Sequence, residues 1–190
     1  MDPTLIIVVV VIAGLALIVA AVWLLQKRRS DQLRSQFGPE YERTVKETGG
    51  RRKAEASLLG REKRVKALSI KPLSLEERDR YVALWAEVQT EFVDDPAGAI
   101  TRADGMLGEV MSARGYPVRD FDQVAEDLSV DHAVVVQHYR AAHDVALRQE
   151  RGEADTEDLR RAMLHYRELF DELVGEPMET PMEHREEAVK

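Results

Sequence analysis

Two copies of one triplet, His138-Tyr139-Arg140 and His165-Tyr166-Arg167, stand 27 residues apart in the chain. The match extends further, because Ser129, Asp131 and Asp144 correspond to Thr156, Asp158 and Asp171 at the same offset. Each triplet joins a side chain that titrates near neutral pH to a guanidinium with forked donors, a pairing suited to a carboxylate or phosphate. If residues 150–155 turn two helices into an antiparallel hairpin, Arg140 and Arg167 are equidistant from the turn and both triplets share one level. With His143 one turn away, the residues His138, Tyr139, Arg140, His143, His165, Tyr166 and Arg167 then form a candidate site for a small anionic ligand. A plainer reading stands beside it: each Tyr enters the core with its hydroxyl satisfied, and each Arg pairs with the Asp four residues later on its own helix. Two copies do not make a solenoid, which needs about three.

Other chemistry finds less support. The chain has no cysteine, which excludes disulfides, thiolate metal sites and a cysteine nucleophile. The histidines at 132, 138, 143 and 165 lack the i, i+4 spacing of a helical ligand pair. Asp120 and Asp122 lead into Val124 and Ala125, where a calcium loop needs an oxygen ligand and glycine. No metal and no cofactor are therefore expected. There is no glycine-rich phosphate loop and no Gly-x-Ser-x-Gly, so an enzyme is not expected either.

Val124, Ala125, Leu128, Val130 and Val135, with Ser129 near the turn, follow the apolar spacing of a helix-turn-helix. The charges oppose a DNA-reading role. The segment carries Glu126, Asp127 and Asp131, whereas binding a polyanion draws on Lys and Arg against phosphate. Nucleic acid is not an expected partner, and a tethered DNA-binding regulator ranks third among the functional readings.

The elements that must position these residues begin with an uncharged run over residues 4–25, TLIIVVVVIAGLALIVAAVWLL. About 20 apolar residues at a rise of 1.5 Å cross a hydrocarbon core of roughly 30 Å. No Lys or Arg precedes the run, and it is long for the core of a signal peptide. Lys27, Arg28 and Arg29 follow it, and Trp23 sits where an interfacial aromatic anchor would. These residues place the membrane interface, with the N-terminus outside and the C-terminal domain in the cytoplasm.

Charge divides the remainder. Residues 27–80 hold sixteen Lys and Arg against nine Asp and Glu; residues 81–190 hold eleven against twenty-five. The membrane-proximal half suits anionic headgroups, each basic residue near the surface contributing about 1 kcal/mol.

The expected organisation is an anchor with basic flank over 1–29, a basic helical stalk over 30–72, an acidic helical bundle over 73–175 and a disordered acidic tail over 176–190. In the stalk, Phe37, Tyr41 and Val45 mark one stripe, Gly49-Gly50 a break, and Pro72 an extended connector. In the bundle, Ser74 and Glu77 predict a capping box, followed by Tyr81, Trp85, Val88 and Phe92 on one helical face. Asp94 or Asp95 caps the next helix, with Pro96 at its first position, and Gly115 closes it; Asp120, Ser129 and Thr156 are read as the caps of three more. No stretch alternates with period two, so the fold class is all-α, with a bundle of four or five helices.

The passages FGPEYERTV, KPLSLEERDRY, FVDDP, RGYP, LSVDHAVVVQHYRAAH and TEDLRRAMLHYRELFDEL resemble a family of small single-pass bacterial membrane proteins, actinobacterial in type, with a helical soluble domain. The resemblance covers residues 37–173 and brings no activity, cofactor or site residue with it. It implies the anchor-plus-helical-domain plan. A membrane-anchored interaction or scaffold module, binding a protein partner or copies of itself, is the leading functional expectation.

Overall fold

The computed structural model describes residues 3–175, with side chains from Ile12 onward, Ala13 excepted. The described residues form eight helices and no strand, as the Ala-, Leu-, Glu- and Arg-rich composition favours. The tail expected over 176–190 lies outside the described residues. Among the described residues no helix is long and apolar enough to cross a membrane. The side chains of residues 4–11 and 13, part of the expected anchor, are outside that description.

The chain divides into two compact units, Met1–Glu62 and Lys63–Lys190. In the first, α1 (Pro3–Phe37) runs unbroken past the basic cluster, so no joint separates the apolar run from the stalk. Gly38, at φ 46°, reverses the chain, and Pro39 opens α2 (Pro39–Thr48), its missing N–H costing nothing in the first turn. Phe37 and Tyr41 are therefore on different helices, not on one stripe, yet both are fully buried. Gly49, at φ 71°, terminates α2 ahead of α3 (Arg51–Val65).

Residues 30–62 are more than a solvated stalk. Leu33, Phe37, Tyr41, Thr44, Ala54 and Leu58 make a small core, and the buried Glu40 and Arg61 carboxylate and guanidinium meet at 3.3 Å. A charged composition concealed this, because Arg61 and Glu40 neutralise each other inside the packing.

The second unit is a bundle of α4 (Leu75–Asp94), α5 (Pro96–Arg114), α6 (Phe121–Asp131), α7 (Val135–Glu150) and α8 (Thr156–Gly175). Its first helix starts as the spacing predicts: Ser74 Oγ accepts the Glu77 N–H at 3.2 Å and Glu77 Oε2 accepts the Ser74 N–H at 2.9 Å. Tyr81, Trp85 and Val88 are buried, and Trp85 stacks on Phe170 of α8 with ring centroids 4.9 Å apart. Asp95 caps α5 by accepting the Gly98 N–H at 3.0 Å, with Pro96 at the first position. Helix α5 is central, packing against α4, α7 and α8.

Two expected caps are displaced. Ser129 does not open α7; it lies buried inside α6, where its hydroxyl donates to the Glu126 carbonyl at 2.6 Å. Burial of Leu128 and Val130 on either side carries α6 on to Asp131. At α8 the cap is Asp155 rather than Thr156: its Oδ1 accepts the Asp158 N–H at 2.7 Å, and Asp158 Oδ2 accepts the Asp155 N–H at 3.4 Å. A carboxylate at a helix N-terminus also meets the positive end of the dipole, an advantage the Thr156 hydroxyl lacks.

The C-terminus of α5 is a sensitive point. Gly115 has φ 99°, and a Cβ there would meet the Ser69 carbonyl oxygen at 2.6 Å. The connector beside it is held by the Lys71 N–H donating to the Arg114 carbonyl at 2.9 Å. Gly115→Ala is expected to destabilise the chain by about 2 kcal/mol or more, combining left-handed strain with displacement of backbone. A denaturation midpoint within error of the parent would contradict it.

Candidate functional site

Helices α7 and α8 pack as a hairpin, the condition on which the two triplets share a level. Gly152, at φ 70°, makes the turn, and an Arg148–Asp158 ion pair joins the two helices beside it. His138 and His165 meet at one level, Nδ1 to Nδ1 at 2.9 Å. At that distance one ring must donate and the other accept, so the neutral pair is satisfied and the doubly protonated pair repels.

The rest of the two triplets diverges. Tyr139 and Tyr166 are buried in the core. Arg140 has Asp122 of α6 at 3.9 Å, whereas Arg167 is exposed, with Asp171 of its own helix at 3.6 Å. The two guanidiniums are thus drawn to different carboxylates.

What gathers the inward groups is Asp104 of α5, which no motif singled out. The Tyr166 hydroxyl donates to Asp104 Oδ1 at 2.8 Å, and His143 Nδ1 lies 3.6 Å from the same oxygen. Burial first, and then the Asp104 charge, pushes the pKa of both tyrosines well above the usual phenol range. The His143 ring is stacked on Phe121, 3.7 Å between centroids, and Phe121 also packs on Tyr139 at 4.8 Å.

Asp104, Tyr139, His143 and Phe121 border a cavity of about 470 Å³ between α5, the loop that follows it, α6 and α7. Gly105 and Gly108 of α5 form part of its wall, and a Cβ on either would meet nothing within 4 Å. Glycine in a helix interior costs about 1 kcal/mol against alanine, so these two trade helix stability for open space. The polar lining is mostly acidic, Asp104, Glu109 and Asp120 against Arg119, with His143 between. Its chemistry suits a small organic cation on an aromatic wall better than an anion. The signal for Asp104 was its register, since it falls on the face of Leu107 and Met111 in an otherwise apolar stripe.

At the other end of the chain, Trp23 and Lys27 sit one turn apart on α1, the ammonium 5.5 Å from the indole centroid. Arg28 and Arg29 continue the same helix. Ser30, buried one residue later, begins the part of α1 that packs into the first unit. Among the described residues no three His, Asp or Glu side chains cluster to hold a metal ion.

The chain matches no protein-family model, and no curated protein or solved structure is similar to it.

The histidine pair yields a prediction. Burial and the His138 charge lower the pKa of His165, with Glu168 acting in the opposite direction. A histidine whose folded pKa is depressed adds stability above its unfolded pKa of about 6.5 and loses it as pH falls below that value. The His165 imidazole is expected to titrate below 6.5 by NMR, and His138→Gln to move it upward. A His165 midpoint at or above the ordinary value in the parent would refute the pairing.

Proposed function

We propose that this protein is a membrane-tethered interaction module without catalytic activity, anchored through residues 4–25 with α2–α8 on the cytoplasmic side. The observation that carries this reading is the change of environment along α1. Ile12, Leu15, Leu17, Ile18, Val19, Val22, Trp23, Leu24 and Leu25 are all exposed, Leu17 at 72%, and between them they occupy every face of the helix. A helix apolar all round has no use for water on any side. From Ser30 onward the same helix has a buried face, so the apolar part is a separate functional element and not spare core. The basic residues after it support the same plan.

The bundle offers a surface for a partner or a second copy. Leu75, Val82, Ala86 and Val93 fall at intervals of seven, four and seven on α4, all exposed, with Val93 at 81%. These four side chains line one narrow exposed strip of α4, with Asp79 and Gln89 along its edges, a seam on which another helix could pack.

Absence of cysteine makes the tests direct. Ser35→Cys in the full chain is expected to resist a membrane-impermeant maleimide in intact spheroplasts and to react after lysis. Labelling before lysis would reverse the orientation; release of the chain by alkaline carbonate would end the anchoring reading. A photocrosslinker at Val82 or Val93 is expected to give one discrete adduct in membranes, and its absence at both positions would remove α4 as the binding face.

A second reading is a sensor of a small ligand, supported by the α5–α7 cavity. The acidic lining favours a cationic ligand, held at Asp104, Tyr139 and His143 rather than at the paired triplets. Calorimetry of the full chain with a set of small amines tests it: binding abolished by Gly105→Leu supports the site, and no heat with any of them disposes of it.

A further inference from the structure

The first unit contains a groove of about 880 Å³ walled by the end of the apolar part of α1 and the opening turns of α3. Five cations line it, Lys27, Arg29 and Arg34 from α1 and Arg51 and Arg52 from α3, against the two carboxylates of Asp31 and Glu55. Glu55 is already engaged. It accepts from Ser30, from the Tyr41 hydroxyl at 2.9 Å and from Arg51 Nε at 3.0 Å. Burial works to raise its pKa, but these hydrogen bonds and the Arg51 charge outweigh it and hold the carboxyl below its usual range. No ion pair holds Lys27, Arg29 or Arg52 among the described residues, while Arg34 pairs with the exposed Glu42 and lies over the Tyr41 ring, 5.1 Å from its centroid.

The start of α3 strengthens the positive field. Its first turn carries no acidic residue and begins Arg51-Arg52-Lys53, although the helix dipole favours anions there. Cations at the positive end of a helix, facing three more across a groove, leave a position that an anion would fill. Trp23 also borders the groove, and Arg29 lies six residues further along the helix, roughly 9 Å at 1.5 Å per residue. That step carries the chain from the edge of the hydrocarbon to the level of lipid phosphates.

We infer that this groove is a binding site for the headgroup of an anionic phospholipid, the acyl chains lying along the exposed apolar face of α1. Charge complementarity and continuity with the apolar helix identify the occupant; the inference rests on the anchoring reading above. The site differs from a diffuse basic patch because two separate helices, α1 and α3, supply its walls.

The test uses the full chain with Trp85→Phe, leaving Trp23 as the sole indole, in phosphatidylcholine vesicles with a minority of phosphatidylglycerol. One lipid or the other carries brominated chains. Brominated phosphatidylglycerol is expected to quench Trp23 several-fold beyond its share of the bilayer. Arg29→Gln with Arg52→Gln is expected to remove the excess, at about five-fold per basic residue, and Arg43→Gln with Lys46→Gln on α2 to leave it unchanged. Native mass spectrometry of the unsubstituted chain, expected to retain one phosphatidylglycerol, provides an independent readout. Quenching in proportion to bulk composition, or equal loss in both pairs of variants, overturns the site while leaving the anchor intact. Quenching by neither lipid overturns the anchor, and the site with it.

Discussion

Arg61→Ala is expected to open the first unit, exposing the amides of α2 to exchange in a chain whose α5 and α8 stay protected. The Arg61 and Glu40 side chains are 3% and 1% exposed, and their guanidinium and carboxylate are 3.3 Å apart. Removing one partner of a buried ion pair leaves the other charge desolvated, a cost of about 3–5 kcal/mol. Arg43, 3.7 Å from the other Glu40 oxygen and partly exposed, offers incomplete compensation. At roughly 0.1 kcal/mol per residue the stability of this 62-residue unit is about 6 kcal/mol, so that loss removes most of it. Arg61→Met with Glu40→Met replaces both charges by apolar volume and is expected to restore most of the protection, because the pair contributes specificity more than net stability. Hydrogen exchange of the full chain in nanodiscs measures both variants. Unchanged exchange in Arg61→Ala would mean that water reaches Glu40, and that residues 30–62 are a stalk after all.

In the second unit the largest single loss is expected from Trp85→Ala. The indole is buried and lies nearly parallel to Phe170, the planes inclined by 11°, so truncation removes both core volume and the stack that joins α4 to α8. A large aromatic replaced by alanine costs about 3–5 kcal/mol. For a unit of this size that corresponds to a fall of about 10 °C or more in the thermal midpoint. Trp85→Phe retains a ring against Phe170 and is expected to lose less than half as much. Circular dichroism melts of the three chains decide it. Equal midpoints for Trp85→Ala and Trp85→Phe would show that the stack adds nothing beyond filling space.

The two variants also separate the proposed roles of the units. Arg61→Ala is expected to disturb the basic groove, because α3 forms one of its walls, while leaving the α5–α7 cavity in place. Trp85→Ala acts on the helix that carries the exposed seam of Leu75, Val82, Ala86 and Val93. Loss of crosslinking at Val82 with retained lipid preference would assign partner binding and lipid binding to different parts of the chain.

Several features of this protein follow from the amino-acid sequence alone. The all-helical class, the capping box at Ser74, the Pro96 start and the Gly115 stop of α5 are local matters, settled by hydrogen bonds and backbone angles within a few residues. The meeting of His138 and His165 was also legible, because a short turn between two helices fixes which residues share a level. Tertiary structure alone decided the rest. Ser129 stayed within α6 because its neighbours are buried, which no capping preference could show. Glu40 and Arg61 entered a core because each cancels the other's charge across two helices. Asp104, on a third helix, drew Tyr166 and His143 away from the arginines that accompany them in sequence. Such placements depend on which faces meet in space and on the cost of burying an unpaired charge, and neither is written in the spacing of residues along one helix.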